Sequence, residues 1–317
     1  MSQYCFNGYL AALQLRSSPT ILVEGPSDAL LFSRYLHVSS SIQTPLPKYH
    51  IDDARILRSD TQPLGNRAKI EEVALRSYTA NVPVFCILDR EYDGFTVSHR
   101  VLDKFDQLAP PVPLSMLTRG HSVENYSFID EVLREMLVHT CARQMSPAEI
   151  DTTLNFVQAI LRICASFCWV AMQRSVLSRC RDLFEPAGWQ ASVGGAIVLD
   201  ASWLRAALIA RGINAGDAAG LIAEMKTVEA AVALTDVDTV RMFCHGVITF
   251  NGLMTGLATA ARLVNPSVTV QMISGQRDES WRVMAGKAAQ ELAAMPQSGL
   301  EGLLAFLRNH RRTLAAY

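Results

Sequence analysis

Short apolar runs alternate with longer helical patterns in the first third of the chain. Residues 21–23 form an apolar run rich in β-branched side chains and too short for a helix, which predicts a buried parallel strand. Ser27 is a favourable N-cap for the helix that the following apolar positions predict. Further apolar runs predict strands within 49–57 and over 82–88 and 112–117, with helices beginning at 64–67 and covering 96–108. This order predicts a mostly parallel sheet flanked by helices.

The pattern changes after Tyr126, where the sequence becomes mostly helical. Ser146 and Pro147 form a favourable helix start, and one short strand is predicted over residues 196–199. We therefore expect an α/β domain over residues 1–126 and a mostly α-helical domain over residues 127–317, the latter for assembly and for substrate or partner contacts. Some of these helices are apolar on more than one face, which indicates burial in the domain or in a homodimer interface.

Composition narrows the class of protein. The chain has 317 residues, half of them apolar, and a formal net charge of −1. A protein that coats nucleic acid is plainly basic, so any nucleic-acid site here must be a local patch assisted by metal ions. The seven cysteines show no zinc spacing, residues 1–18 do not resemble a secretory signal, and we expect no apolar run of membrane-spanning length. These features predict a soluble cytoplasmic protein without membrane contact.

Acidic residues follow several of the predicted strands. Glu24 ends the first strand and Asp28 lies in the first turn of the next helix, while Asp89 and Glu91 follow the third strand. Two carboxylates this close repel each other unless a cation lies between them, and hard oxygen ligands suit Mg²⁺ or Mn²⁺. For Asp28, a favourable interaction with the helix dipole is an equally good explanation.

Glu124 adds another acid after the fourth predicted strand. Because parallel strands place their carboxyl ends at one edge, we expect Glu124 to converge with the four acids above, although it could instead cap the next helix. Phosphate binding would require cations, and Arg67, Lys69 and Arg119 are the nearest by topology. Each of the three is also explained as an ordinary surface charge.

Three motifs together resemble a known family. The pattern VEG-x-x-D at residues 23–28 and ILD-x-E at residues 87–91 resemble the Toprim domain of topoisomerases, primases and OLD-family nucleases. The sequence SVENY at residues 122–126 is similar to the Toprim-like family that includes the nuclease effector of the PARIS anti-phage system. The chain departs from the usual Asp-x-Asp of Toprim at Glu91, which is a competent Mg²⁺ ligand but one methylene longer.

The resemblance implies roles for the acidic residues. Glu24 would be the general acid/base or metal-coupled carboxylate, and Asp89 and Glu91 the principal ligands of Mg²⁺ or Mn²⁺. Asp28 and Glu124 would contribute to a second metal ion or its water shell. In such a site one ion activates the attacking oxygen and the other stabilises the leaving oxygen of a phosphodiester.

The resemblance also implies a biological role. The chain would be a metal-dependent nuclease that cleaves RNA, with tRNA favoured, as a toxic effector restrained by a separately encoded ABC-type ATPase. An OLD-like DNA nuclease is an alternative, although those usually carry their ATPase in the same chain and no G-x-x-x-x-G-K-[ST] motif occurs here. A catalytically inactive Toprim fold that serves as a binding module is the other alternative.

Overall fold

A computed structural model of the protein describes residues 3–42, 45–59, 63–295 and 299–314. In chain order its α-helices and strands are α1 (Phe6–Gln14), β1 (Thr20–Val23), α2 (Pro26–Ile42), β2 (His50–Asp53), α3 (Asn66–Thr79), β3 (Val84–Leu88), β4 (Phe95–Val97), β5 (Val101–Asp103), β6 (Ser115–Leu117), α4 (Asp130–Cys141), α5 (Pro147–Leu154), α6 (Val157–Gln173), β7 (Trp189–Ala191), β8 (Ile197–Leu199), α7 (Ala201–Ala210), α8 (Ala215–Ala233), α9 (Val237–Phe243), α10 (Gly246–Val264), α11 (Val270–Ser274), α12 (Arg277–Ala294) and α13 (Glu301–Leu314).

The chain folds into two compact units, each built from separate stretches of sequence. Unit 1 consists of Met1–Arg90, Gln107–Arg119 and Ala288–Tyr317, and unit 2 of Glu91–Asp106 and Gly120–Lys287. The predicted division between residues 126 and 127 therefore differs from the observed one. The chain passes from unit 1 to unit 2 after Arg90, and its C-terminal segment belongs to unit 1.

Unit 1 contains a four-stranded parallel sheet with the strand order β2-β1-β3-β6. Every residue of β1 and β3 is buried, as expected for parallel strands covered on both faces. This confirms the prediction of a parallel sheet flanked by helices. The predicted N-cap at Ser27 was wrong, because α2 already begins at Pro26, a residue that suits the first turn of a helix.

The helix predicted over residues 96–108 does not form. Strands β4 and β5 make an antiparallel hairpin there, and a short 3₁₀-helix follows over Phe105–Gln107. Gly94 has a positive φ of 74°, which redirects the chain before β4. The β-branched residues Thr96, Val97 and Val101 favour the extended conformation over a helix. The connection from β3 to the parallel strand β6 therefore contains this hairpin instead of a helix.

Unit 2 is mostly helical, with α6 packed against α8 and α10. The start of α5 at Ser146 and Pro147 is confirmed, with Ser146 and Glu149 forming a capping box. The predicted strand at 196–199 is present as β8, paired with β7, which the sequence pattern did not predict.

Two stretches, Pro147–Gln173 and Gly246–Val264, are long and apolar enough to cross a membrane by composition, contrary to the expectation that none would be. In each, 67% of the most apolar window is buried inside the structure, which is compatible with core helices of a soluble protein.

Candidate functional site

Glu24 and Asp89 lie directly after β1 and β3, the two central strands of the sheet in unit 1. From β1 the chain adds β2 on one side of the sheet, and from β3 it adds β6 on the other. The space between the carboxyl ends of β1 and β3 is therefore the topological switch point of the sheet. Open parallel sheets bind their ligands at such points.

A hydrogen bond joins these two strand ends. The backbone N–H of Asp89 donates to Oε1 of Glu24 at 2.9 Å, and the Asn66 side-chain amide donates to the backbone carbonyl of Glu24 at 2.9 Å. Glu24 and Asp89 are both partly buried. The sequence prediction that these two acids lie at one edge of the sheet is confirmed by this contact.

Asp28 lies in the same turn as Glu24 but has a structural partner. Its Oδ2 accepts the backbone N–H of Gly25 at 2.8 Å, and the side chain is buried. This contact ties the first turn of α2 to the end of β1. It favours the explanation of Asp28 as a residue that shapes the helix start, and its role at a metal ion stays a prediction.

Arg67 is in contact with the acidic pair. Nη1 of Arg67 donates to the backbone carbonyl of Asp89 at 3.3 Å, while its Nε pairs with Glu71 at 3.2 Å. Lys69 is two residues further along α3, which places it about 200° around the helix axis from Arg67. The backbone carbonyl of Arg119 accepts a hydrogen bond from the Arg90 side chain at 3.0 Å. Arg67 is a predicted phosphate ligand, and its contact with the carbonyl of Asp89 places it beside the acidic pair.

Arg90 has a structural role that the sequence did not indicate. Its side chain is completely buried, and its backbone N–H donates to Oγ1 of Thr118 at 3.0 Å. Together with the bond to the carbonyl of Arg119, this contact joins the segment after β3 to the segment after β6. A buried guanidinium is costly unless it is hydrogen-bonded, and these bonds make Arg90 a connector of the two strand ends.

Glu91 is the first residue of unit 2 and is exposed. Its φ of 55° is in the left-handed region, which is unusual for a residue other than glycine. Its backbone N–H donates to the carbonyl of His121 at 2.7 Å. The structure thus joins the segment around Glu91 to the segment that leads into Glu124, while the metal-binding role predicted for Glu91 stays a prediction.

Glu124 is buried in unit 2, within a 3₁₀-helix over Val123–Ser127. The hydroxyl of Ser122 donates to Oε2 of Glu124 at 2.7 Å. Burial raises the pKa of Glu124, and the hydrogen bond from Ser122 opposes that rise. A Cβ atom added to Gly246 would lie 1.9 Å from Oγ of Ser122 and 2.5 Å from Oε2 of Glu124, so this pair packs directly on the first residue of α10.

Asn125 completes the contacts of the SVENY segment. Its side-chain amide donates to the carbonyls of Arg241 at 2.6 Å and Cys244 at 2.8 Å, and its Oδ1 accepts the backbone N–H of Ser122 at 2.8 Å. The segment therefore holds the junction between α9 and α10. Glu124 takes part in this packing, and the catalytic role predicted for it stays a prediction.

The acidic residues of unit 1 offer a small set of oxygen ligands for a divalent ion. No group of three or more His, Cys, Asp or Glu side chains in the described ranges is arranged to hold a metal ion. Mg²⁺, however, commonly takes only one or two protein carboxylates and keeps several waters. Glu24 and Asp89 supply two carboxylates on neighbouring strand ends, so their chemistry fits a magnesium ion.

Comparison with known proteins does not assign a family. No protein-family model matches the sequence, and no curated protein matches it.

Proposed function

We propose that the protein is a metal-dependent nuclease of the Toprim type, with its active site at the carboxyl ends of β1 and β3. The observation that carries this proposal is the pair of acids Glu24 and Asp89 at the topological switch point, joined by the 2.9 Å hydrogen bond. The three motifs that resemble Toprim sequences support the same function. Phosphodiester cleavage is the chemistry that such motifs serve, and RNA, with tRNA favoured, is the proposed substrate.

The proposal assigns a chemical role to each of three residues of the site. Asp89 and Glu24 would hold Mg²⁺ or Mn²⁺, which supplies positive charge at the phosphate and lowers the pKa of a bound water. Glu24 is held by the N–H of Asp89, so its carboxylate is positioned to take or return a proton at the reacting oxygen. Arg67 adds a cation beside Asp89, where a phosphate would carry negative charge.

The biological role proposed with this activity is that of a toxic effector in anti-phage defence, restrained by a separately encoded ABC-type ATPase. Such an effector would act in the cytoplasm, and we propose that it acts as a homodimer. The near-neutral net charge supports recognition of a defined substrate over general coating of nucleic acid.

Cleavage assays test the proposed site. The purified full chain would be incubated with total tRNA and with supercoiled plasmid, in Mg²⁺ or in EDTA. We expect tRNA cleavage in Mg²⁺, none in EDTA, and a loss of about 100-fold or more in Glu24→Gln and in Asp89→Asn. Asp53→Asn is the matched control, because Asp53 ends the neighbouring strand β2 but is paired with Arg55 at 2.8 Å. This control should retain wild-type activity.

The other outcomes lead to different conclusions. Cleavage that persists in EDTA and in both variants would show that the acids of unit 1 are not the active site. Cleavage of plasmid but not tRNA would favour an OLD-like DNA nuclease. Absence of cleavage on both substrates, with and without the ATPase partner, would favour a catalytically inactive binding module.

A further inference from the structure

Unit 2 contains a cavity of about 690 Å³, and all the described residues that line it belong to this unit. Its walls come from the end of α6 with the segment that follows, residues 172–181, and from the start of α10, residues 245–248. A cavity of this size is within the range of sites that bind small organic molecules.

The polar groups of the cavity are donors of hydrogen bonds or can act as donors. They are the guanidinium of Arg181, the hydroxyls of Ser175 and Ser178, and the imidazole of His245. None of the eight described residues that line the cavity is acidic. Such a lining favours an anionic ligand and disfavours a metal cation.

His245 contributes a fixed donor. Its Nδ1 accepts the backbone N–H of Ile248 at 3.5 Å, as the N-cap of α10. Burial lowers the pKa of His245 to about 4, so the ring is neutral at pH 7. Because Nδ1 is the acceptor, the single proton of the neutral ring is on Nε2, which can donate to a ligand.

Arg181 differs from the other arginines around it. Arg174 pairs with Glu224 at 2.6 Å, Arg277 pairs with Asp182 at 3.0 Å, and Arg179 donates to the carbonyl of Gly212. Arg181 is the cation among the described residues that line the cavity. Its positive charge also acts on the buried carboxyl group of Glu124 and opposes the rise of the pKa of that group, so a ligand in the cavity would share Arg181 with Glu124.

The remaining wall is apolar and consists of Met172, Leu177, Val247 and Ile248. A ligand that fills the cavity therefore needs an anionic group at one end and an apolar or aromatic body at the other. A phosphate monoester carries three acceptor oxygens, which match an arginine fork, an imidazole N–H and two hydroxyls better than the two oxygens of a carboxylate do.

We propose that this cavity binds a phosphate monoester carried on a small organic body, of the size and chemistry of a nucleoside monophosphate. The proposal rests on the side chains of unit 2 and is independent of the nuclease proposal. All such ligands share the phosphate group, so the experiment compares probes that differ in the organic body.

Isothermal titration of the full chain tests this inference, with EDTA present to remove binding that depends on divalent ions. The probes are adenosine 5′-monophosphate, adenosine and inorganic phosphate. We expect saturable binding of the monophosphate, weaker binding of inorganic phosphate at the same site, and no measurable binding of adenosine. Arg181→Gln should weaken the monophosphate by about ten-fold or more, as expected for the loss of a charge-assisted hydrogen bond.

Three further variants make the result specific. His245→Asn retains an N-cap for α10 but removes the Nε2 donor, and it should also weaken binding. Arg179→Gln is the matched control, two residues before Arg181, and should bind as the wild type does, as should Asp89→Asn in unit 1. Unaltered circular dichroism and thermal midpoints establish that each variant is folded.

Several results would overturn the proposal. They are the absence of monophosphate binding, unchanged affinity in Arg181→Gln, equal affinity for adenosine, and loss of binding in Asp89→Asn. The last result would locate the phosphate at the acidic pair, so this inference would fail while the nuclease proposal would remain open to its own test.

Discussion

Gly246 shows how a single residue can be fixed by its neighbours. The hydrogen of its Cα leaves room for the hydroxyl of Ser122 and the carboxyl group of Glu124, which a Cβ would meet at 1.9 Å and 2.5 Å. Both groups belong to a buried, hydrogen-bonded pair, so neither can move without losing a partner. We expect Gly246→Ala to lower the free energy of unfolding by about 1–3 kcal/mol, measured by urea denaturation.

Gly216→Ala is the control for this substitution. Gly216 lies in the first turn of α8, and an added Cβ would meet its nearest neighbour, Oδ1 of Asn214, at 3.4 Å. Alanine favours the helical conformation over glycine, so Gly216→Ala should be neutral or slightly stabilising. Equal stability of the two alanine variants would contradict the close packing of Ser122 and Glu124 on α10.

The burial of His245 predicts that the stability of the protein depends on pH. Burial lowers the pKa of His245 to about 4, below the value of about 6.5 in an unfolded chain. Between these values the unfolded state binds more protons, so stability is lost as the pH falls from 6.5 towards 4. We expect a contribution of about 2 kcal/mol to the loss between pH 7.5 and pH 5, measured by urea unfolding at both values.

A substitution separates the contribution of His245 to the pH dependence of stability from the contributions of other groups. Burial raises the pKa of Glu124, so this carboxyl group gives the opposite slope over part of the same range. The comparison is therefore between wild type and His245→Asn, which should show a smaller loss of stability at pH 5. An equally large loss in His245→Asn would contradict the assignment.

At the same scale, the positions of Glu24 and Asp89 could be predicted from the sequence, whereas the partners of the other candidate residues could not. Glu24 and Asp89 follow apolar runs that are strands in a parallel sheet, and parallel pairing alone brings such ends to one edge. The partners of Glu124 and Arg90 depend on side-chain contacts between segments far apart in the sequence, such as the packing of Glu124 against Gly246. No spacing rule connects those positions.

At the scale of elements, one buried amide connects two helices of unit 2. Asn125 is completely buried and donates to the carbonyls of Arg241 and Cys244, next to the end of α9 and the start of α10. Asn125→Asp would replace this donor with a buried carboxyl group facing two carbonyl oxygens. We expect the free energy of unfolding to fall by about 3 kcal/mol or more, measured by urea denaturation at pH 7.5.

The exposed Asn155 at the end of α5 provides the matched control. Asn155→Asp introduces the same charge near a helix C-terminus, where it should cost a few tenths of a kcal/mol. If both variants lost the same small amount of stability, the hydrogen bonds of Asn125 would not be important for the α9–α10 junction.

The hairpin of β4 and β5 explains an error at the element scale. The sequence from Thr96 has a spacing of apolar residues that also fits a helix, and the expected βαβ order favoured that choice. In the structure, Val101 receives a further contact, a hydrogen bond from its backbone N–H to Oγ1 of Thr235 at 2.9 Å. That partner is 134 residues away, so local pattern could not choose between strand and helix here.

At the scale of the whole chain, the C-terminal segment packs in unit 1, far along the sequence from the strands of that unit. Three leucines of this segment are completely buried, at positions 300, 303 and 307, and the ring of Phe306 lies 5.1 Å from that of Phe85 on β3. The boundary predicted at residue 126 came from the change in local pattern. It could not include a helix that returns to the sheet from the far end of the chain.

A fragment of residues 1–126 should therefore not fold by itself. It keeps the strands of the sheet but lacks α13, so apolar surface around Phe85 would be exposed to water. We expect no cooperative thermal transition for this fragment by circular dichroism, whereas the full chain should show one. A cooperative transition and dispersed amide resonances in the fragment would contradict this prediction.

In the full chain, Leu307→Ala should reduce the free energy of unfolding by about 2–5 kcal/mol, because Leu307 is completely buried in unit 1. Glu301 is exposed, so the control Glu301→Ala should have little effect.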